Sequence, residues 1–390
     1  MFQQTDEELT NLGAIITTRE IQQQPELWQE ASARFEQKQA EISHFFEMIK
    51  QDTDGPVRVI FTGAGTSQYI GDTLVPYLNQ SGDTENFSFE SIGTTDIVAT
   101  PQDYLKKTSP TLLVSFARSG NSPESLAAVR LADQLVDTIY HLTITCAEDG
   151  QLAKHAQTNE RHLLLLMPER ANDAGFAMTG SFTCMLMTAL LTFDLSELSK
   201  KMTYIADASK LGQEVIAREN EIRTITEVDF ERIVYLGSGS LAGLTREAQL
   251  KVLELTAGEI ATVFDSSMGF RHGPKSFVNK RTLVFGFLNN DPYTRKYDLD
   301  ILEEVSEDKI AANTVAIGQK GNENFSGNQF TFTTEASQLP EAYLVLPEIM
   351  VAQTIALFSS VKVGNTPDTP SATGTVNRVV KGVTIHPYKS

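Results

Sequence analysis

The sequence has few of the residues that build disulfide frameworks or cysteine metal sites. Its 390 residues include two cysteines, Cys146 and Cys184, which lie far apart and in apolar surroundings. We therefore expect neither a disulfide bond nor a cysteine-based zinc site. A reducing cytoplasm is the compartment that fits this cysteine usage best.

Basic residues are also scarce. The chain has 32 Lys and Arg against 50 Asp and Glu, which gives a net charge of −18. An overall field of this sign repels polyanions and argues against nucleic acid as a partner. Any site for a phosphate group must therefore be built locally.

Segments that would cross a membrane or direct export are not evident. The most apolar long segment, Ser181 to Phe193, is shorter than a membrane span and contains three threonines. The first residues lack the basic start and apolar stretch of a signal peptide. We predict a buried helix at Ser181 to Phe193 and a protein that is neither exported nor membrane-bound.

Apolar residues are nevertheless abundant enough for a sizeable core, since 41% of the chain is hydrophobic. At about 150 residues per domain, the length suggests two or three domains. Predicted strands alternate with predicted helices, and this alternation is typical of a parallel sheet with helices on both faces. In the first part of the chain these elements are a helix over Pro25 to Lys50, strand Val57 to Phe61, a helix from about Tyr69 to Leu78, strand Thr111 to Phe116, helix Pro123 to Val136, and strands His141 to Thr145 and Arg161 to Met167.

The pattern then restarts, which indicates an internal repeat. The second series consists of helix Lys200 to Ile225, strand Arg232 to Leu236, helix Thr245 to Thr256, strand Thr282 to Phe287, helix Leu299 to Val305, helix Leu346 to Ser360, and a strand-like segment from Val379 to Ile385. We predict an α/β protein of two tandem domains, each a parallel sheet flanked by helices. The predicted boundaries are an N-terminal helical segment over 1–50, a first domain over 51–200, a linker helix over 201–222, a second domain over 223–362, and a tail over 363–390.

Two hydroxyl-rich turns follow strands of the first domain. One contains Gly63, Gly65, Thr66 and Ser67, and the other is the segment Arg118-Ser119-Gly120-Asn121-Ser122. Turns at strand ends that open a helix present amides and hydroxyls to anions. Ser122 could instead be only a helix cap. Because two such turns occur together, the pattern favours a small phosphate over a dinucleotide.

The second domain contains the charged spacing of an acid/base site. Glu247, Lys251 and Glu254 are three and four residues apart, so a helix places them on one face. The ordinary interpretation is a solvated stripe of ion pairs. The helix follows a Gly-x-Gly turn, however, and His272 lies downstream in a loop that contains glycine and proline, where a histidine can titrate near neutrality.

The two turns resemble the phosphate loops of the sugar isomerase (SIS) family, whose fold is the one predicted. The resemblance implies a sugar 6-phosphate bound by Gly65, Thr66, Ser67, Ser119 and Ser122. Isomerase domains of glucosamine-6-phosphate synthase usually carry serine at the position of Ala117. Arg118 is therefore a candidate to replace the missing contact.

The segment Glu-x-x-x-Lys-x-x-Glu followed by His-Gly-Pro is similar to the catalytic segment of the isomerase half of that synthase. The resemblance implies that Glu254 moves a proton between C1 and C2, that His272 opens the sugar ring, and that Glu247 and Lys251 orient the site. Lys381 matches the tail lysine that closes over the open-chain sugar.

Nearly the full length resembles bacterial AgaS-type proteins with two SIS domains, which are linked to the use of galactosamine and N-acetylgalactosamine. The resemblance includes the segments Gln24 to Trp28, Gly175 to Thr183 and the tail Val376 to Tyr388. The resemblance implies conversion of galactosamine 6-phosphate to tagatose 6-phosphate and ammonia in amino sugar catabolism, in the cytoplasm. The expected partner is the small-molecule sugar phosphate, with no metal ion or cofactor and no nucleic acid or membrane. It also implies a homodimer or larger homo-oligomer in which His272 could serve a neighbour's site. Plain tagatose-6-phosphate ketose/aldose isomerisation and a sugar-phosphate-sensing regulator remain the alternatives.

Overall fold

A computed structural model of the chain describes residues 1–157, 159–378, 380 and 382–389. The chain divides into two compact units, each assembled from separate stretches of sequence. The first-sheet unit contains residues 27–173, 180–201 and 376–390, and the second-sheet unit contains residues 1–26, 174–179 and 202–375. The units therefore exchange segments, which the predicted boundaries along the sequence did not anticipate.

The regular elements alternate along most of the chain. The helices are α1 (Asp6–Asn11), α2 (Ile15–Gln22), α3 (Gln24–Asp52), α4 (Thr66–Ser81), α5 (Thr94–Ala99), α6 (Pro101–Tyr104), α7 (Pro123–Leu135), α8 (Gln151–Ala156), α9 (Gly180–Phe193), α10 (Leu198–Ala217), α11 (Glu219–Thr226), α12 (Ser240–Leu255), α13 (Pro292–Glu307) and α14 (Glu341–Lys362). The strands are β1 (Val57–Thr62), β2 (Phe87–Ser91), β3 (Thr111–Ala117), β4 (Ile139–Thr145), β5 (His162–Leu166), β6 (Arg232–Gly237), β7 (Ala261–Ser266), β8 (Thr282–Phe287), β9 (Asn313–Gln319) and β10 (Asn328–Phe332).

Each unit contains one parallel sheet of five strands. The first sheet has the order β2-β1-β3-β4-β5, and the second has the order β10-β9-β8-β6-β7. Numbered from its own first strand, the second sheet repeats the order of the first. All pairings are parallel. The predicted fold class and the internal repeat are thus confirmed.

Parallel pairing places the two predicted phosphate turns beside each other. Strands β1 and β3 are neighbours, and Thr62 at the end of β1 pairs with Ser115 of β3. Both strands end at the same edge of the sheet, so the turns that follow them emerge there together. Strand β3 is buried along its whole length, which gives the second turn a rigid support.

The most apolar helices are core helices. Helix α9 is buried along almost its full length in the first-sheet unit. Helix α14 has the length and mean hydropathy of a membrane span, but 94% of its most apolar window is buried within the second-sheet unit. Burial of this extent is how the central helix of a globular domain satisfies its apolar surface.

Most predicted elements differ from the structure only in their end residues, but two differ in kind. The helix predicted over Lys200 to Ile225 is interrupted at Arg218, whose φ of −104° and ψ of 22° separate α10 from α11. The strand-like segment predicted from Val379 to Ile385 forms no strand at its described positions, while Val379 itself lies outside the described residues. An extended segment forms a strand only when its backbone pairs with a neighbouring strand, and the alternating pattern of the tail does not supply one.

Candidate functional site

The first predicted phosphate turn has an open mouth. Gly65 adopts φ 56° and ψ −129°, is exposed, and precedes helix α4, whose first residues Thr66 and Ser67 are buried. Apart from Gly65 itself and its two chain neighbours, no atom of the described residues lies within 4 Å of the position that a Cβ would take at Gly65. The N-terminus of a sixteen-residue helix thus faces open space, where backbone amides and the helix dipole favour an anion.

The second turn is held in shape by its own hydroxyls and by a neighbouring loop. The Ser122 hydroxyl accepts a hydrogen bond from the Ser125 amide at 3.3 Å, so Ser122 is the N-cap of α7. The Leu152 amide donates to the Gly120 carbonyl at 3.1 Å. Ser119 is half-buried, and its hydroxyl accepts from the Asn121 amide at 3.4 Å. The turn is preformed, and the capping role considered for Ser122 is present.

Arg118 has a partner that the sequence did not suggest. Its side chain is buried, and Nη2 donates to the backbone carbonyl of Arg378 in the tail at 2.8 Å. The guanidinium group of Arg118 is thus hydrogen-bonded within the protein. That Arg118 replaces a phosphate contact stays a prediction.

The equivalent turn of the second-sheet unit is filled by a carboxylate of the chain itself. Gly239 has φ 59° and ψ −130°, nearly the same conformation as Gly65. The carboxylate of Glu341 accepts from the Ser240 amide at 3.1 Å and from Asn289 Nδ2 at 2.5 Å. A side chain at Gly239 would collide with this carboxylate. Of the two matching turns, only the first is left open for a ligand.

A second carboxylate, that of the buried Asp298, supports the filled turn. Asp298 accepts from the hydroxyls of Ser238 and Ser267, both at 2.5 Å, and from the Asn289 amide at 3.0 Å. Burial raises the pKa of Asp298, and these hydrogen bonds oppose the rise. Neither Glu341 nor Asp298 could be recognised from the sequence pattern, because both are distant in sequence from the turn that they hold.

The predicted charged face of α12 is buried rather than solvated. Glu247 and Lys251 have no exposed surface, and Lys251 Nζ lies 3.2 Å from Glu247 Oε1 and 2.6 Å from Glu254 Oε2. The side chain of Glu254 is 22% exposed. Glu254 is thus the member of the group that solvent or a substrate can reach, and the interpretation as a surface stripe of ion pairs is wrong.

The two carboxylates keep Lys251 charged. Burial alone would lower the pKa of its ammonium group, but the charges of Glu247 and Glu254, together with their hydrogen bonds, outweigh burial and raise it. A permanently charged ammonium fixes the orientation of the Glu254 carboxylate. Such an arrangement suits a carboxylate that takes up and returns a proton at a defined position.

His272 lies in the same unit, directly after a short 3-10 helix over Gly269–Arg271. The imidazole is exposed and makes no hydrogen bond or ion pair with the residues that the structure describes. Its loop is fixed by Glu304, which accepts from Arg271 Nε at 2.6 Å and from Lys275 Nζ at 2.5 Å. Glu304 thus holds the residues on both sides of His272, and the imidazole itself is exposed.

Lys381 lies outside the described residues. The tail residues that follow it line a cavity of about 940 Å³ in the first-sheet unit, together with residues of α5, α6 and α7. Tyr388 packs against the apolar cluster that contains Leu113 and Leu131. The tail therefore belongs to the unit that carries the open phosphate turn.

Metal-binding geometry is not found in the described part of the chain. No group of three or more His, Cys, Asp or Glu side chains there is arranged to hold a metal ion.

Comparison with known proteins identifies the family. The SIS domain family matches residues 55–194. The D-galactosamine-6-phosphate deaminase AgaS of Escherichia coli is 43% identical over 376 residues, which are 96% of each chain. The chain belongs to the AgaS family. The relatives in this family are named as enzymes, and this protein is therefore an enzyme as well.

Solved structures agree with the fold. The tagatose-6-phosphate ketose/aldose isomerase of Escherichia coli matches with a TM-score of 0.85 and 39% identity, over 96% of this chain and 97% of that one. The C-terminal domain of a glucosamine-fructose-6-phosphate aminotransferase from Francisella tularensis matches with a TM-score of 0.73 over 90% of this chain and 98% of that one, at 18% identity. The last likeness shows a shared fold alone.

Proposed function

We propose that this AgaS-family protein converts galactosamine 6-phosphate and water to tagatose 6-phosphate and ammonia. The observation that carries the proposal is the buried group of Glu247, Lys251 and Glu254, in which one carboxylate reaches solvent. A regulator that only senses a sugar phosphate has no need for a buried, charge-balanced carboxylate of this kind. The names of the relatives support the same activity.

The open turn of the first-sheet unit is assigned to the substrate phosphate. Gly65, Thr66 and Ser67 offer a helix N-terminus with hydroxyls, and Ser119 and Ser122 line the adjacent turn. The filled turn at Gly239 supports a single phosphate per chain, because Glu341 already occupies the matching position.

Proton transfer is assigned to Glu254. After the ring opens, the carboxylate takes the proton from C2 and delivers it to C1, so the electron pair of the C2–H bond moves toward the C1 carbonyl. The C1 oxygen gains a proton and becomes a hydroxyl, while the amine at C2 loses one and becomes an imine. Water adds to the imine to give a carbinolamine, which expels ammonia and leaves the ketose. No external oxidant or reductant is needed, because C1 is reduced as C2 is oxidised.

His272 and Lys381 are assigned supporting roles. An exposed imidazole can exchange protons with the ring oxygen during opening. A tail lysine can hold the ketose carbonyl, as an iminium where its pKa is lowered. Because His272 has no partner among the described residues of its own chain, we also propose a homodimer or larger oligomer in which it serves a neighbour's site. The cytoplasm is the proposed compartment.

Plain aldose–ketose isomerisation is the second candidate, and the name of the Escherichia coli structure favours it. Both reactions use ring opening and the same proton transfer, and they differ in whether nitrogen leaves C2.

The test is ammonia release from galactosamine 6-phosphate and glucosamine 6-phosphate in parallel, with tagatose 6-phosphate and fructose 6-phosphate measured as products. We expect ammonia and tagatose 6-phosphate from the galacto substrate. Glu254→Gln is the matched inactive variant, with a loss of at least about 100-fold in kcat and little change in affinity for inorganic phosphate. Interconversion of tagatose 6-phosphate with its aldose, without ammonia, would select the isomerase instead.

A further inference from the structure

Arg118 connects the strand before a phosphate turn with the C-terminal tail. It follows β3 directly and precedes Ser119 of the turn, and its Nη2 donates to the Arg378 carbonyl at 2.8 Å. The side chain is 7% exposed. A guanidinium group stays charged when buried, so its N–H groups need hydrogen-bond acceptors. The carbonyl of Arg378 in the tail is one of the acceptors of Arg118.

The tail is fixed at the same residue by a second set of contacts. Arg378 Nε donates to the Asp173 carbonyl at 2.9 Å, and Arg378 Nη2 donates to Asn172 Oδ1 at 2.9 Å. Arg378 is therefore held by its backbone from one side and by its side chain from the other. Both contacts lie within the first-sheet unit.

The anchor for Arg378 is itself rigid. Asp173 is fully buried, and its carboxylate accepts from the amides of Gly180 and Ser181 at 3.0 and 2.9 Å, at the start of α9. Burial raises the pKa of the Cys146 thiol, and the charges of Asp173, Arg118 and Arg378 all act on it, which agrees with their clustering around one point. Because Arg378 is bound at the buried Asp173, it is attached to the core of the first-sheet unit.

We propose that Arg118 is a positioning residue that latches the C-terminal tail to the strand of the phosphate turn, and that it is not a phosphate ligand. The inference rests on the proposed function in one respect, since it gives a purpose to holding the tail: Lys381 comes three residues after Arg378 in the sequence. The side chain of Arg118 thereby connects the tail to the turn residue Ser119, which follows Arg118 in the chain.

The experiment compares Arg118→Met with wild type in the full-length protein, with two readouts that do not require turnover. The first is the rate of tryptic cleavage after Arg378, followed by mass spectrometry, with cleavage after the exposed Lys389 as the internal reference. The second is the affinity for inorganic phosphate. We expect cleavage after Arg378 to become about tenfold faster, because cleavage follows the population of the released tail. Phosphate affinity should stay within about twofold.

Two further variants keep the test decisive. Asn172→Ala removes a bond from the other side of Arg378 and should also speed cleavage, even if Arg118→Met folds poorly. Arg34→Met changes an exposed arginine of the same unit and should leave both readouts unchanged. In assays of turnover, Arg118→Met should lower kcat with little change in KM.

The opposite pattern would overturn the proposal. If Arg118→Met weakens phosphate binding tenfold or more while cleavage after Arg378 stays at the wild-type rate, Arg118 is a phosphate ligand. Unchanged cleavage in Asn172→Ala would also count against the latch. If the wild type releases no ammonia yet Arg118→Met still frees the tail, the latch stands and the proposed reaction falls.

Discussion

Lys251 lies fully buried on α12, between the carboxylates of Glu247 and Glu254. The spacing of Glu247, Lys251 and Glu254 placed them on one helical face, as the structure confirms, but the same spacing is common in exposed ion pairs. The difference lies in the elements packed on α12, which are the flanking strands β6 and β7 and the helix α14 from remote sequence. The composition of this group could therefore be predicted, whereas its burial could not.

Removing the central charge should be costly. In Lys251→Met the carboxylate of Glu247 remains buried without its cation, and we expect a loss of about 3 to 5 kcal/mol in the free energy of unfolding. Urea unfolding measures it. The double variant Glu247→Gln with Lys251→Met should recover part of the loss, since the fully buried carboxylate of Glu247 is then no longer present without its cation.

The matched control is Lys38→Met, which breaks an exposed lysine–glutamate pair of 2.5 Å with Glu41. That change should cost about 0.5 kcal/mol or less. Equal losses in Lys251→Met and Lys38→Met would show that the pair on α12 is solvated.

A cluster of histidines predicts an acid-sensitive fold. His141 and His162 are adjacent residues of β4 and β5, and both are buried. His162 Nε2 bonds to Thr143 Oγ1 at 2.8 Å. Burial, followed by the charges of His141 and His155, lowers the pKa of His162 to about 3. Its folded pKa is thus below its unfolded value of about 6.5.

The sign of the effect follows from proton uptake. Above pH 6.5 neither state binds the proton, so His162 does not affect stability there. As the pH falls from 6.5 toward 3, the unfolded chain binds a proton that the folded chain does not, and stability should fall by about 1.4 kcal/mol per pH unit from this group. Urea unfolding between pH 7.5 and 5 should give a flatter profile for His162→Gln. The exposed His44 is the control, and a profile for His162→Gln as steep as that of His44→Gln would contradict the assignment.

At the scale of elements, two turns of the same shape have different contents. Gly65 opens to space, and Gly239 faces Glu341. Comparison of the two turns in the sequence shows their shared Gly-x-Gly pattern. It cannot show the carboxylate of Glu341, because that residue lies at the start of α14, far along the chain. The position of the single open turn is therefore a structural finding.

Glu341 should act as an internal anion for α12. We expect Glu341→Ala to lose about 1 kcal/mol of stability, since the amide of Ser240 loses its acceptor and the helix start loses its negative charge. Thermal unfolding measures the loss. Glu335→Ala, at an exposed glutamate of the same unit, should be nearly neutral. An equal effect of the two substitutions would remove Glu341 from this role.

Among the strands that the sequence predicted, those with buried, continuous apolar runs were placed best. Strand β8 was predicted at its observed bounds, and β3 differed by one residue. Three strands at sheet edges were missed, namely β2, β7 and β10, and none of the residues of β7 is buried. The buried strand β9 was missed as well. Helix α4 begins three residues earlier than predicted, since its first residues are polar and carry no apolar period.

At the scale of the whole molecule, the repeat was visible but the exchange of segments was not. Residues 1–26 belong to the second-sheet unit, and the last residues belong to the first-sheet unit. Such exchange depends on long-range contacts such as that of Asp368 with the amides of Ile16 and Thr17, at 3.0 and 2.8 Å. Local pattern carries no information on such pairs.

Assembly provides the last prediction. His272 is exposed near Phe264 and Met268 in sequence, apolar side chains that are 41% and 49% exposed, and β7 has an open edge. If a second copy covers this surface and takes His272 into its own site, two inactive variants should complement each other. Glu254→Gln and His272→Ala, each with little activity alone, are co-expressed with different tags and purified as mixed dimers or assayed as an equal mixture. In a random mixture half of the dimers are mixed and one of their two sites has both wild-type residues, so about a quarter of wild-type ammonia release should return. If His272 serves its own chain, every site lacks one residue and no activity returns, whatever the ratio of the two variants.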